Sequence, residues 1–180
     1  MPILKNCELH YIRLNPKYLS DTFNKDNPTY EVQIRTISKE VMKEWKEEFS
    51  LPVRTIIPEN EEEGFYFCSN IKKNKFKKDG TLSIPVEVVD GNLLPLDPNL
   101  IASGSVGNVM ILQRDYVKTN GTPAKVSILM KVQITKLIKR KPSEFKRDDF
   151  HEEAMEVIEL QEEEHNDTLT EGTDSPNSDY

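Results

Sequence analysis

Little in this sequence is suited to holding a metal or crossing a membrane. Its 180 residues include two cysteines and three histidines. Cys7, Cys68, His10, His151 and His165 fall at no zinc-ligand spacing. Both cysteines sit inside apolar runs, which predicts buried free thiols in a reducing compartment. No stretch approaches the roughly 18 consecutive apolar residues of a membrane span. The first residues lack the basic-then-apolar pattern of a secretory leader. A soluble, cytoplasmic protein is expected. Catalytic signatures are also missing. There is no Gly-x-Ser-x-Gly, and no cysteine has a histidine partner by motif. Gly104-Ser105-Val106-Gly107 lacks both the spacing and the lysine of a phosphate loop, so it reads as a bend or bulge in a strand. Glu87, Asp90 and Asp97 flank a turn-rich stretch without the pairing a metal-dependent nuclease needs, and read as solvated turn residues. The expectation is a protein that is not an enzyme and carries no metal or cofactor.

Positive charge is missing from one region. Residues 151–180 hold no Lys or Arg and eleven of the 31 acidic residues. All 24 Lys and Arg therefore lie in residues 1–150, beside 20 Asp and Glu. The overall charge of -7 hides a body near +4 and a tail near -11. Taken whole, the net charge argues against a nucleic-acid partner, because phosphates are repelled by an acidic surface. Taken in parts, the body is mildly basic. A block of like charge repels itself and buries too little apolar surface to fold, so residues 162–180 read as a disordered acidic tail. Residues 142–161 read as a linker, with Ala154, Met155 and Ile158 allowing a helix over 148–164.

Residues 1–141 read as one mainly β domain. Cys7, Leu9 and Tyr11 alternate with Asn6, Glu8 and His10, the period of a half-buried strand over 3–14. Residues 15–28 are loop. Tyr30, Val32 and Ile34 alternate with Glu31, Gln33 and Arg35 in a second strand. Val41, Met42, Trp45 and Phe49 then recur at spacings of three or four, which predicts an amphipathic helix over 38–49 with Trp45 in the core. Pro52 follows it as a stop. Residues 53–57 form a short strand, and 58–64 an acidic loop. The runs 65–71 and 81–89 read as the arms of a long hairpin with a basic tip, turned by Asp79-Gly80. A strand over 104–117 connects through Asn120-Gly121 to the last one. There Val126, Ile128, Met130, Val132 and Ile134 face one way, and Ser127, Lys131, Gln133 and Thr135 the other. Lys139-Arg140-Lys141 closes the sheet. No βαβ alternation is present, so a small antiparallel barrel with one inserted, capping helix is expected, similar to the OB-fold.

The strongest local signal is Lys72 to Lys78. Binding single strands without sequence preference requires cations for phosphates and flat apolar faces for bases. Phe76 amid Lys72, Lys73, Lys75, Lys77 and Lys78 supplies both types, or else folds back onto the barrel as part of a solvated tip. Tyr30, Tyr66 and Tyr116 lie on strands near Arg35, Lys72 and Arg114. Each is either a stacking platform or a half-buried rim residue. Lys131 adds an outward cation on the last strand. In the tail, Glu171, Asp174, Asp179 and Tyr180 are the candidate partner-binding residues. A tethered polyanion acts as a phosphate mimic at high effective concentration, competing with nucleic acid for a basic groove.

The order of these features resembles the single-stranded DNA-binding proteins of short-tailed lytic bacteriophages. Four stretches carry the likeness: Leu4 to Tyr18; Phe65-Tyr66-Phe67-Cys68 with the lysine-rich run after it; Ile84-Pro85-Val86-Glu87-Val88-Val89-Asp90 through Ile101-Ala102-Ser103-Gly104-Ser105; and Val126 to Leu137. The acidic tail matches in character. The resemblance implies an OB-fold, sequence-independent DNA binding and strand annealing in phage replication and recombination. It also implies a homodimer, work in the host cytoplasm, and tail contacts with a replicative polymerase and a helicase-primase. The chain departs from the pattern by carrying Tyr180 where the family has phenylalanine, and by placing Val157, Ile158, Leu160 and Leu169 in the acidic region. A competing reading is a replisome adaptor or a DNA-mimicking protein that does not itself bind DNA.

Overall fold

The computed structural model describes residues 1–140, which form one compact unit. The expected linker (142–161), helix (148–164) and acidic tail (162–180), together with Lys141, lie outside the described residues.

Seven strands form a single sheet: β1 (Ile3–Arg13), β2 (Thr29–Thr36), β3 (Arg54–Ile56), β4 (Tyr66–Asn74), β5 (Glu87–Val89), β6 (Ser105–Val117) and β7 (Pro123–Lys136). Their order is β3-β4-β2-β1-β6-β7-β5, and a further pairing of β4 with β7 closes it. Five strands thus make a ring, β4-β2-β1-β6-β7 and back to β4. Four of its junctions are antiparallel; the closing one is parallel, at Lys72 and Ile128. This is the five-stranded Greek-key barrel of the OB-fold. β3 extends the sheet beyond β4, and β5 runs parallel along β7.

The barrel interior is apolar. Leu4, Leu9, Val32, Ile34, Val109, Ile111, Leu129 and Val132 are buried there as one cluster, with Tyr30 and Ile71. The helix α1 (Lys39–Glu47) packs Trp45 into the same cluster. Ser38 caps its start by accepting the Val41 amide, Glu40 lies in its first turn and Lys46 in its last, each favourable toward the helix dipole. The Gln113 amide of β6 donates to the Phe49 carbonyl just past the helix end. Cys7 and Cys68 are buried and unpaired. No helix among the described residues is long and apolar enough to cross a membrane.

Three local expectations need correction. β1 carries two irregularities, at Asn6 (φ 53°) and Tyr11 (φ 48°), where its register to β6 and to β2 shifts. The bulge puts Ile12 and Leu14 inward and leaves Tyr11 exposed, although its period with Cys7 and Leu9 places it inside. One strand serving as the shared edge of two partners in a small barrel must bend sharply, and bulges supply the bend. In β7 the pairing passes from Met110–Lys131 to Ile111–Leu129, so Met130 is an extra residue. Leu129 points inward below that bulge and Val132 and Ile134 above it, while Val126 is exposed; the five residues do not share one face.

The long hairpin is also not formed. A tight turn exists, with Phe76 bridging Leu82 and the Lys77 amide donating to the Thr81 carbonyl at 2.8 Å. The second arm then leaves. β4 has β2 along one edge, and β3 and β7 share the other, so no edge is free for a returning strand. Instead β5 joins β7, where Val86, Val88 and Val89 become buried. The expected bend at Gly104 to Gly107 is present. Gly104 has φ +93°, and a Cβ on Gly107 would run into the Gln133 backbone carbonyl across β7.

Candidate nucleic-acid interface

Directly opposed residues on neighbouring antiparallel strands share a face. The registers of β1, β2, β4 and β3 therefore define three rows across the outside of the barrel. Arg13, Glu31 and Lys72 form the first; His10, Gln33 and Asn70 the second; Glu8, Arg35, Cys68 and Arg54 the third. The alternation of β2 explains why: Tyr30, Val32 and Ile34 fill the core, so Glu31, Gln33 and Arg35 point away from it.

Hydrogen bonds join the rows. Arg35 Nε donates to Gln33 Oε1 at 2.7 Å, Gln33 Nε2 to Asn70 Oδ1 at 3.0 Å, and Asn70 Nδ2 to Glu31 Oε1 at 3.2 Å. The Lys72 ammonium meets the same Glu31 oxygen at 3.2 Å. Along β1, His10 Nε2 and Glu8 Oε1 are 2.6 Å apart. Aromatic rings stand at the ends of this network. The Arg35 guanidinium lies 4.2 Å from the Tyr66 ring centroid and 5.5 Å from that of Tyr11, between two rings. At the other end the Lys72 ammonium lies 4.5 Å from the Phe23 centroid. Such contacts hold cations against ring faces while leaving their other donors available.

The residues read from the sequence distribute unevenly over this surface. Arg35, Tyr66 and Lys72 come together on the outer face of β2 and β4. Tyr30 is a correction. It is 2% exposed, its ring belongs to the core, and burial pushes its hydroxyl pKa up, so it presents no ring face to a base. Lys73 points the opposite way from Lys72, and its ammonium is 3.9 Å from Met130 Sδ. Burial, with the charge of Lys77 adding, lowers its pKa. At the turn, Lys77 and Lys78 are exposed and Phe76 is half-buried beneath the Lys75 ammonium, 5.6 Å from its ring centroid. The Phe76 backbone is clamped by the Asn27 side chain, which accepts its amide at 3.0 Å and donates to its carbonyl at 3.1 Å. Asp79 holds the turn through the Thr81 hydroxyl and amide, which lower its pKa.

Arg114 and Tyr116 stand elsewhere, on the exposed end of β6 opposite Val126 and Ala124. Lys131 on β7 is ion-paired with Glu87 at 3.1 Å. Glu171, Asp174, Asp179 and Tyr180 lie outside the described residues. Asp90 and Asp97 serve as turn caps, accepting the amides of Asn92, Leu94 and Asn99. Among the described residues no group of three or more His, Cys, Asp or Glu is placed to hold a metal ion.

Two aromatic residues of this face were not singled out from the sequence. Tyr11 was hidden by its bulge, because strand periodicity assigns it to the interior. Phe23 sits in a loop without periodicity; its signal was an aromatic side chain alone in an Asn- and Asp-rich stretch.

No family model matches the sequence, and no curated protein matches it. Among solved structures, the chain is similar to the single-stranded DNA-binding protein of bacteriophage Enc34 in complex with single-stranded DNA, at 16% identity and a TM-score of 0.47, over 74% of this chain and 85% of that one. It is similar to gp2.5, a single-stranded DNA-binding protein encoded by bacteriophage T7, at 16% identity and a TM-score of 0.47, over 81% of this chain and 95% of that one.

Proposed function

We propose that the outer face of β1, β2 and β4 binds single-stranded DNA without sequence preference. The observation that carries this is the Tyr11–Arg35–Tyr66 stack, with Lys72 and Phe23 at the far end of the same face. Exposed rings beside fixed cations are what sequence-tolerant binding needs: stacking accepts any base, and cations follow the backbone. Arg13, Arg35, Arg54 and Lys72 would take phosphates, with the exposed Lys77 and Lys78 extending the basic track. Arg114, Tyr116 and Lys131 would add contacts only to a strand that continues around the barrel onto β6 and β7. The chemistry proposed is binding, with no catalytic step.

The wider reading is that residues 1–141 form the DNA-binding domain and 162–180 a competing acidic tail on a linker. The protein would act as a homodimer in phage DNA replication and recombination within the host cytoplasm. Freed by DNA, the tail would contact a replicative polymerase and helicase-primase through Glu171, Asp174, Asp179 and Tyr180.

A gel shift with labelled oligo-dT tests the central claim. If about four phosphates are neutralised, log affinity should fall against log salt with a slope near -3, at about 0.7 per contact. An adaptor that does not bind DNA would give no shift at moderate salt. A salt-independent shift would refute the phosphate contacts.

A further inference from the structure

The loop between β1 and β2 is built around a recess that the three rows do not explain. Ser20, Phe23, Asn24, Asn27, Thr29, Lys72 and Asn74 line a cavity of about 230 Å³. Its walls are held from several sides. Ser20 and Thr29 exchange both backbone hydrogen bonds, at 3.0 and 2.8 Å. The Lys75 amide donates to the Pro28 carbonyl at 2.9 Å, and Asn27 clamps Phe76. Asn24 Oδ1 caps the amides of Asp26 and Asn27. A loop with this many internal bonds presents a formed recess.

What lines the recess is unusual for a closed structural loop. Phe23 is 85% exposed, although its ring would lose contact with water if it folded onto the barrel. Lys72 covers one ring face from 4.5 Å, which leaves the other open. The Asn74 amide and the Asn24 Nδ2 group make no hydrogen bond with protein. A flat apolar face, amide donors and acceptors, and an ammonium are together complementary to one nucleotide: ring, base edge and phosphate.

We infer that this recess seats a single unpaired nucleobase, stacked on Phe23, with its edge toward Asn24 and Asn74 and its phosphate on Lys72. The inference rests on the DNA-binding reading above and adds to it a selection rule. A base within a duplex is covered on both faces and its pairing edge is occupied, so it cannot enter. The seat would make the site prefer single strands over duplexes, a preference the open β-face alone does not supply. An amide pairs with the edges of several bases, so the seat imposes little choice among them.

The test uses the full chain and three ligands: oligo-dT of about 20 nucleotides, longer than one OB-fold site, an abasic strand of equal length, and a blunt duplex. Phe23→Ala should weaken oligo-dT binding by roughly five- to one-hundredfold, the range for one lost stack. Its salt slope and its abasic-strand affinity should stay unchanged, and Phe23→Tyr should bind like the parent. Phe23 is so exposed that these variants should fold. In a Phe23→Trp variant, oligo-dT should quench the new emission, and the abasic strand and duplex should not. Trp45, 2% exposed, provides a steady background. Parent-like oligo-dT binding by Phe23→Ala, or equal quenching by the duplex, overturns the seat while leaving the DNA-binding face intact. No binding of oligo-dT by the parent overturns both.

Discussion

Replacing Arg35 by alanine tests the interface and the fold together. Its guanidinium is held between Tyr66 and Tyr11, and its Nε donates at 2.7 Å to Gln33 Oε1. Each cation–π contact at a partly exposed site contributes about 0.5–1 kcal/mol. Gln33 is 7% exposed, and removing its donor leaves Oε1 without a protein partner, a cost of about 1–3 kcal/mol. The two effects share one side chain and do not simply add, so the loss should be about 2–3 kcal/mol. For a chain of this size that lowers Tm by roughly 4–12 °C. DNA binding should weaken about tenfold, with the salt slope shallower by about 0.7, the share of one phosphate. Arg35→Lys separates the two consequences. It keeps the charge, and so the slope, but loses the planar fork that fits between two rings. Anisotropy of labelled oligo-dT at several salt concentrations measures the slope, and urea denaturation the stability. An Arg35→Ala protein with the parent's slope would remove Arg35 from the phosphate track. One with the parent's stability would show that the ring sandwich contributes nothing to the fold.

Two further outcomes follow from other parts of the chain. Burial, with the charge of Glu44 adding, raises the Cys7 thiol from 9.0 to about 12. The unfolded chain then loses this proton at lower pH than the folded one, so the protection is complete below pH 9 and is lost as pH rises toward 12. Stability should fall by about 1.4 kcal/mol per pH unit across that window; denaturation of Cys7→Ala, with a flatter profile there, checks it, and an equally steep profile would place the alkaline loss elsewhere. Deleting residues 162–180 should tighten DNA binding at low salt by removing a tethered competitor, with the gain fading as salt screens the tail; unchanged or weaker binding at low salt would refute the competition.

The sequence by itself determined where chain could be buried. Period-two apolar positions specified β2, with Tyr30, Val32 and Ile34 turned inward. The three-and-four spacing around Trp45 specified the capping helix, because each pattern matches one backbone geometry. Charge segregation was equally legible, being a property of composition. The tertiary structure decided everything that depends on which edges meet. Closure by β4 and β7 left no edge for the returning arm of the lysine hairpin, and so sent Val86, Val88 and Val89 to β7. The five clustered lysines then separated, Lys72 to the outer face and Lys73 toward Met130. The sharp bend of β1 required bulges, and one of them turned Tyr11 out to meet Arg35. A bulge is a response to curvature imposed by distant partners, so local periodicity does not encode it. The candidate site is therefore readable in the sequence as residue types, cations and rings, and only the closed barrel shows which of them share a face.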